Sequence, residues 1–203
     1  MKIALSGYAG VGKSTLTEHT RKINKDYFIA TESAREVMET ESYFDYIDNT
    51  GRFFQKSIMD NEFVKINMML LNNIDNVVFD RSIVDNLAFA ELSYGVDAIN
   101  YKEIQSHIDR LRKKYSIDYI YDKNILIKTS KDKNFIEQIL QDDLRKRTTS
   151  SDINLFMSNA EKWEKRYIQI LNKLDGITKS FDIIEHFSKN DNFLNYFENL
   201  IKK

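Results

Sequence analysis

Residues Gly7, Tyr8, Ala9, Gly10, Val11, Gly12, Lys13, Ser14 and Thr15 follow the pattern G-x-x-x-x-G-K-[ST] of a Walker A phosphate loop. Three of the six glycines in the chain fall inside it, where the backbone must take positive φ and come close to an anion. A loop of this kind is a nest of backbone N–H groups at the positive end of a helix. It stabilises the β-phosphate of a nucleoside triphosphate. The expected ATP-binding set is therefore Gly7, Gly10, Val11, Gly12, Lys13, Ser14 and Thr15. Lys13 is expected to bridge the β- and γ-phosphates, and the Ser14 hydroxyl to complete the octahedral shell of a Mg²⁺ ion.

Two further sites of charge follow short apolar runs. Val77, Val78 and Phe79 lead into Asp80, Arg81 and Ser82, the form of a Walker B strand, in which Asp80 holds Mg²⁺ directly or through water and Arg81 reaches a transferring or acceptor phosphate. Tyr27 to Ala30 leads into Thr31, Glu32, Ser33, Ala34, Arg35 and Glu36. Glu32 and Arg35 are the functional candidates there. Ser33 with Glu36 three residues later has the spacing of a capping box, so Glu36 is expected to be structural. Arg52, Phe54 and Gln55 open a helical pattern where side chains can face a crevice. Arg145, Lys146 and Arg147 form a basic segment between two helices, which resembles in its placement the mobile lid of P-loop kinases and is taken as roughly 141–152.

The elements that must position these residues are legible in the apolar spacing. Ile3, Ala4 and Leu5 read as a buried parallel strand ahead of the loop. A helix is expected over 12–23 with Leu16 and Ile23 inward, and another from Arg52 with Met59, Phe63, Ile66 and Leu70 on one face. Helices are expected over 83–94, broken by Gly95, and over 101–115 with Ile104, Ile108, Leu111 and Tyr115 at helical offsets. Ile125 to Lys128 is a fourth strand; Ile117 to Tyr121 is either a separate strand or its approach. A helical pattern resumes from Phe135. A long helix from about Ser151 turns Ala160, Trp163, Tyr167, Ile170 and Leu174 inward. Phe181 to Ile184 is a fifth strand, and 191–203 a closing helix with Phe193, Phe197 and Ile201 inward. In open α/β sheets ligands bind beyond the carboxyl ends of the strands, which is where Glu32 and Asp80 stand.

With 203 residues, 42% hydrophobic and 30% charged, the chain suits one soluble domain spanning 1–203. No apolar run approaches the ~18 residues of a membrane span, and the short apolar start runs straight into the phosphate loop, so neither membrane association nor an export signal is expected. There are no cysteines, which excludes disulfides and thiolate metal sites and suits the cytoplasm. His19, His107 and His186 have no metal-ligand spacing. A net charge of −1 leaves no basic footprint for long nucleic acids.

Taken together these residues resemble the P-loop kinases of the deoxynucleoside kinase and thymidylate kinase superfamily, including the NadR-like group. The likeness rests on Gly7 to Thr15, Glu32, Phe54-Gln55, Asp80-Arg81-Ser82 and Arg145 to Arg147, in that order, and on the segment from Phe79 to Glu91. Asp80 stands where the nucleoside kinases have Glu and is closer to the Asp-Arg of thymidylate kinases. Ser33 replaces the usual Pro after Glu32, and Thr31 to Glu36 is more like the NadR-like group. The resemblance implies an α/β, three-layer P-loop NTPase fold with a five-stranded parallel sheet of order 2-3-1-4-5 flanked by helices. It implies that Gln55 reads a nucleobase, Phe54 helps enclose it, Arg81 contacts the acceptor, and Arg145 and Arg147 close over ATP.

The first expectation is an ATP- and Mg²⁺-dependent kinase acting on a (deoxy)nucleoside monophosphate, because a monophosphate needs cations and no base, and Arg35, Arg52 and Arg81 lie near the crevice edge. A nucleoside kinase using Glu32 as base, a kinase of nicotinamide riboside or of a modified base in DNA, and a nucleotide-dependent switch are the alternatives. A homodimer is compatible with the sequence.

Overall fold

The computed structural model describes residues 1–39, 52–95, 99–142, 153–185 and 191–202. Five strands, β1 (Lys2–Ser6), β2 (Phe28–Ala30), β3 (Val77–Asp80), β4 (Tyr121–Ile127) and β5 (Thr178–Ile184), form one parallel sheet of order β2-β3-β1-β4-β5. The connections carry α1 (Lys13–Ile23), α2 (Ser33–Glu39), α3 (Arg52–Leu71), α4 (Ile83–Tyr94), α5 (Tyr101–Tyr115), α6 (Lys133–Asp142) and α7 (Ile153–Leu171), and α8 (Asp191–Ile201) follows β5. The sheet order and three-layer architecture agree with the expectation.

The central strands carry apolar runs, Ile3–Leu5, Val77–Phe79 and Ile125–Ile127, because both faces of the sheet are covered. Side chains alternate across a strand, so Ala4, Val77, Phe79 and Leu126 enter one core while Ile3, Leu5, Val78, Ile125 and Ile127 enter the other. The first core is filled by α3, α4, α5 and α7, with Trp163, Tyr167 and Ile108 fully buried; the second is filled by α1 and α8 through Leu16, Phe197 and Ile201. Burying a side chain of this size contributes about 1.5–3 kcal/mol, which makes Trp163 and Phe197 principal fixings of the two helical layers.

Register sets the geometry of the crevice. Leu5 lies opposite Asp80 and Ser6 opposite Leu126, so β1, β3 and β4 end at one level. Ala30 lies opposite Phe79, and the chain leaving β2 therefore delivers Glu32 beside Arg81.

Several local expectations differ. Ile23 is 38% exposed, because α1 ends there and Asn24 turns the chain away. The run Tyr27 to Ala30 reads in sequence as a short strand, but the strand begins at Phe28 and Tyr27, though buried, precedes it. Ile117 to Ile120 forms no separate strand, and Tyr121 opens β4. Ser33 does not act as the N-cap of the helix it begins: its hydroxyl donates to Glu62 Oε2 at 2.5 Å, while Glu36 takes Asn61 Nδ2 at 2.8 Å and pairs with Lys65 at 3.2 Å. Glu36 is structural as expected, through α3 instead of a capping box. The basic segment with Arg145 and Arg147 lies outside the described residues, as does most of the expected lid.

Candidate active site

Each part of the site follows from how its element begins. α1 starts without a side-chain cap: Gly12 takes the N-cap position at φ 87°, and the first turn contains no acidic residue. Its first N–H groups have no intrahelical partner, so this positive end is open to an anion. Gly10 is also at positive φ, 75°. Val11 contributes differently from its neighbours: its side chain is 2% exposed and packs into the second core, pinning the loop to the sheet. Thr15 is exposed at the first turn of α1.

Gly7 is irreplaceable for packing. A Cβ there would lie 2.5 Å from Val11 Cγ2 and 2.7 Å from the Ile127 carbonyl oxygen. The Ile127 oxygen belongs to β4 and cannot retreat. Gly7→Ala is expected to cost about 1–3 kcal/mol of stability from overpacking and to weaken MgADP binding more than tenfold, checked by a thermal melt beside calorimetric titration.

The Lys13 ammonium is folded back onto the loop, donating to the Gly7 carbonyl at 2.5 Å and the Tyr8 carbonyl at 3.0 Å. Burial, followed by the Arg81 charge, lowers its pKa to about 8. Ser14 Oγ donates to Asp80 Oδ2 at 3.2 Å. This hydroxyl and carboxylate are the hard oxygen donors that Mg²⁺ takes. One hydroxyl and one carboxylate fit a cation that draws its other ligands from phosphate and water.

Beyond the carboxyl end of β2 the site is built around Glu32, 9% exposed. Arg81 Nε donates to Glu32 Oε1 at 2.6 Å and Arg35 Nη2 to Oε2 at 3.3 Å. Arg81 has φ 104°, a conformation costing a non-glycine residue about 1–3 kcal/mol and kept where the surroundings over-determine it. Lys13, Arg35 and Arg81 thus face Glu32, Asp80 and Asp85, so the described crevice is close to charge-balanced. Phe54 and Gln55 are half-buried in the first turn of α3. Arg52 opens that helix, and its side chain is outside the described set.

Two groups here were not singled out by sequence. Asp85, fully buried, caps α4 with Ser82; the S-x-x-D spacing was the available signal. Glu62 lies behind Ser33, and burial pushes its pKa up to about 7 despite Lys65 at 3.8 Å. Its folded pKa lies above the ordinary 4.5, so between these values the folded state binds more protons than the unfolded. Stability therefore falls as pH rises through that window, by up to about 1.4 kcal/mol per unit. Glu62→Gln is expected to flatten this slope, read by urea denaturation at pH 5 and pH 8.

The sequence profile of the AAA domain family matches residues 2–174. The chain belongs to this family. Its fold is that of the P-loop nucleoside and nucleotide kinases. It is similar to the structure of deoxyadenosine kinase from M. mycoides with bound dATP, at 18% identity and TM-score 0.65 with all of both chains covered. It is similar also to that enzyme with the products dCMP and a flexible dCDP, at 18% and 0.65 over 100% of this chain and 99% of the other, and with bound dCTP, at 17% and 0.53 over the same shares. No curated protein matches the sequence. No described helix of this AAA domain protein is long and apolar enough to cross a membrane.

Proposed function

We propose that the chain is an ATP-dependent kinase that phosphorylates the hydroxyl of a (deoxy)nucleoside. The observation that carries this is the pairing of both Arg81 and Arg35 with Glu32, at 2.6 and 3.3 Å. Two of the three arginines that favoured a monophosphate on sequence grounds are engaged by a carboxylate on the same edge. A carboxylate oriented by guanidinium groups suits a general base for a hydroxyl. The likeness in fold to a deoxyadenosine kinase supports the same acceptor class.

The loop amides and Lys13 hold the β- and γ-phosphates, with Lys13 leaving the Gly7 and Tyr8 carbonyls to do so. Glu32 accepts the proton of the acceptor hydroxyl. The hydroxyl oxygen forms its bond to the γ-phosphorus as the bond to the bridging oxygen breaks, leaving ADP. Gln55 and Phe54 receive the base, and Arg145 and Arg147 close over the triphosphate. Mg²⁺ held by Ser14, Asp80 and phosphate oxygens would supply neutralisation of the charge spread over the phosphoryl group.

A monophosphate acceptor remains a second reading because Arg35 Nε is buried without a hydrogen-bond partner and is a donor an acceptor phosphate could use. The deciding experiment is coupled ADP release with Mg²⁺-ATP over all ribo- and deoxynucleosides and their monophosphates. Stimulation by nucleosides establishes the first reading, stimulation by monophosphates alone the second, and a flat panel overturns both.

A further inference from the structure

The two oxygens of Asp85 have different partners. Oδ2 serves the cap of α4, accepting from Ser82 N at 3.1 Å and Ser82 Oγ at 2.9 Å. Oδ1 accepts the Gly7 N–H at 3.2 Å and stands 3.5 Å from Arg81 Nη1. Arg81 Nη1 in turn lies 3.5 Å from the Gly7 carbonyl oxygen. Asp85 Oδ1, the two ends of Gly7 and the Arg81 guanidinium thus close a ring between the phosphate loop and the arginine of β3. A cap needs neither this second oxygen nor complete burial, and an unpaired buried carboxylate is costly. The ring supplies the compensation.

One helical turn further along α4, Phe89 makes a second link. Its ring lies 4.8 Å from the Arg81 guanidinium carbon and stacks on Tyr8 of the phosphate loop at 5.7 Å between centroids. Arg81 sits at φ 104°, a conformation that persists only when held from several sides. Glu32, Asp85 and Phe89 hold it.

We infer that Asp85, assisted by Phe89, is a positioning residue that locks Arg81 to the first glycine of the phosphate loop, so that the acceptor-side cation and the nucleotide-binding loop move as one body. The acceptor role of Arg81 rests on the kinase reading; the lock does not. Because the loop is shared, occupancy of one side changes affinity on the other reciprocally.

A double-mutant cycle tests this. Asp85→Asn, Arg81→Lys, the double variant, and Phe89→Leu with and without Arg81→Lys are compared by calorimetric MgADP affinity and by acceptor-stimulated kcat and KM. Asp85→Asn is expected to weaken MgADP binding about tenfold in the native background and less than about threefold beside Arg81→Lys, the non-additivity of residues sharing one network. Phe89→Leu, which leaves the cap intact, is expected to show the same pattern and carries the test should Asp85→Asn not fold. A purely structural cap predicts a lower melting temperature with equal losses in both backgrounds, or no loss of affinity, and either overturns the lock. A non-additive cycle in a protein that phosphorylates no acceptor sustains the lock and overturns the kinase reading; an additive cycle in an active kinase does the reverse. Failure of the native protein to bind MgADP overturns both.

Discussion

Lys13→Ala is expected to lower turnover by roughly 10³-fold or more, the scale of effect when a cation acting on the transferring phosphoryl group is lost, without lowering the melting temperature at pH 7. The two halves of this expectation have one origin. The ammonium is 6% exposed and, among the described residues, donates to the Gly7 and Tyr8 carbonyls, with burial and Arg81 lowering its pKa from 10.5 to about 8. The unfolded chain binds this proton more tightly, so between those pH values stability rises with pH and at pH 7 the cationic lysine is held at a cost. Alanine removes the cost together with the function. The checks are calorimetric unfolding and single-turnover ADP formation. Surviving turnover would mean that the phosphate loop is not the site, and a large drop in melting temperature would mean that Lys13 is a structural strut.

Much of this architecture is written in local spacing. The phosphate loop and the strand ends carrying Glu32 and Asp80 were legible because glycine placement and apolar runs are local signals that this AAA domain fold obeys, whereas the sheet order came from the family resemblance, since spacing along the chain does not say which strands are neighbours. α4 begins and ends where Ser82 and Gly95 say it should. What was not legible is which charges neutralise which. Arg81 and Glu32 are 49 residues apart, and Gly7 and Asp85 are 78 apart; spacing puts all four on one edge without saying that they pair. Counting Arg35 and Arg81 as unspent cations therefore favoured a monophosphate, whereas the structure commits both to Glu32. Ser33 failed similarly. Its spacing to Glu36 is that of a capping box, yet a buried carboxylate on α3, Glu62, offers its hydroxyl a partner within hydrogen-bond reach.

Glu32→Gln separates the acceptor readings by the sign of its effect. The amide keeps the shape of the carboxylate and one acceptor oxygen, so the fold and nucleoside KM are expected to change little. If Glu32 takes the hydroxyl proton, kcat on nucleosides falls by about 10²–10⁴, the range contributed by a positioned base. Phosphorylation of monophosphates behaves oppositely. Glu32 now holds Arg81 at 2.6 Å and Arg35 at 3.3 Å, and removing its charge frees both guanidiniums for an anion. Inorganic phosphate and monophosphates should therefore bind the variant more tightly than the native protein, by an amount that shrinks with added salt because part of Arg35 is open to solvent. Parallel kcat and KM values on a nucleoside and its monophosphate, with phosphate as a competitive probe, give the answer in one series. A steep loss on the nucleoside with tighter phosphate binding makes Glu32 the base, held by its two arginines. Undiminished turnover on the monophosphate would instead make Glu32 a gate that keeps those arginines from the acceptor until it arrives.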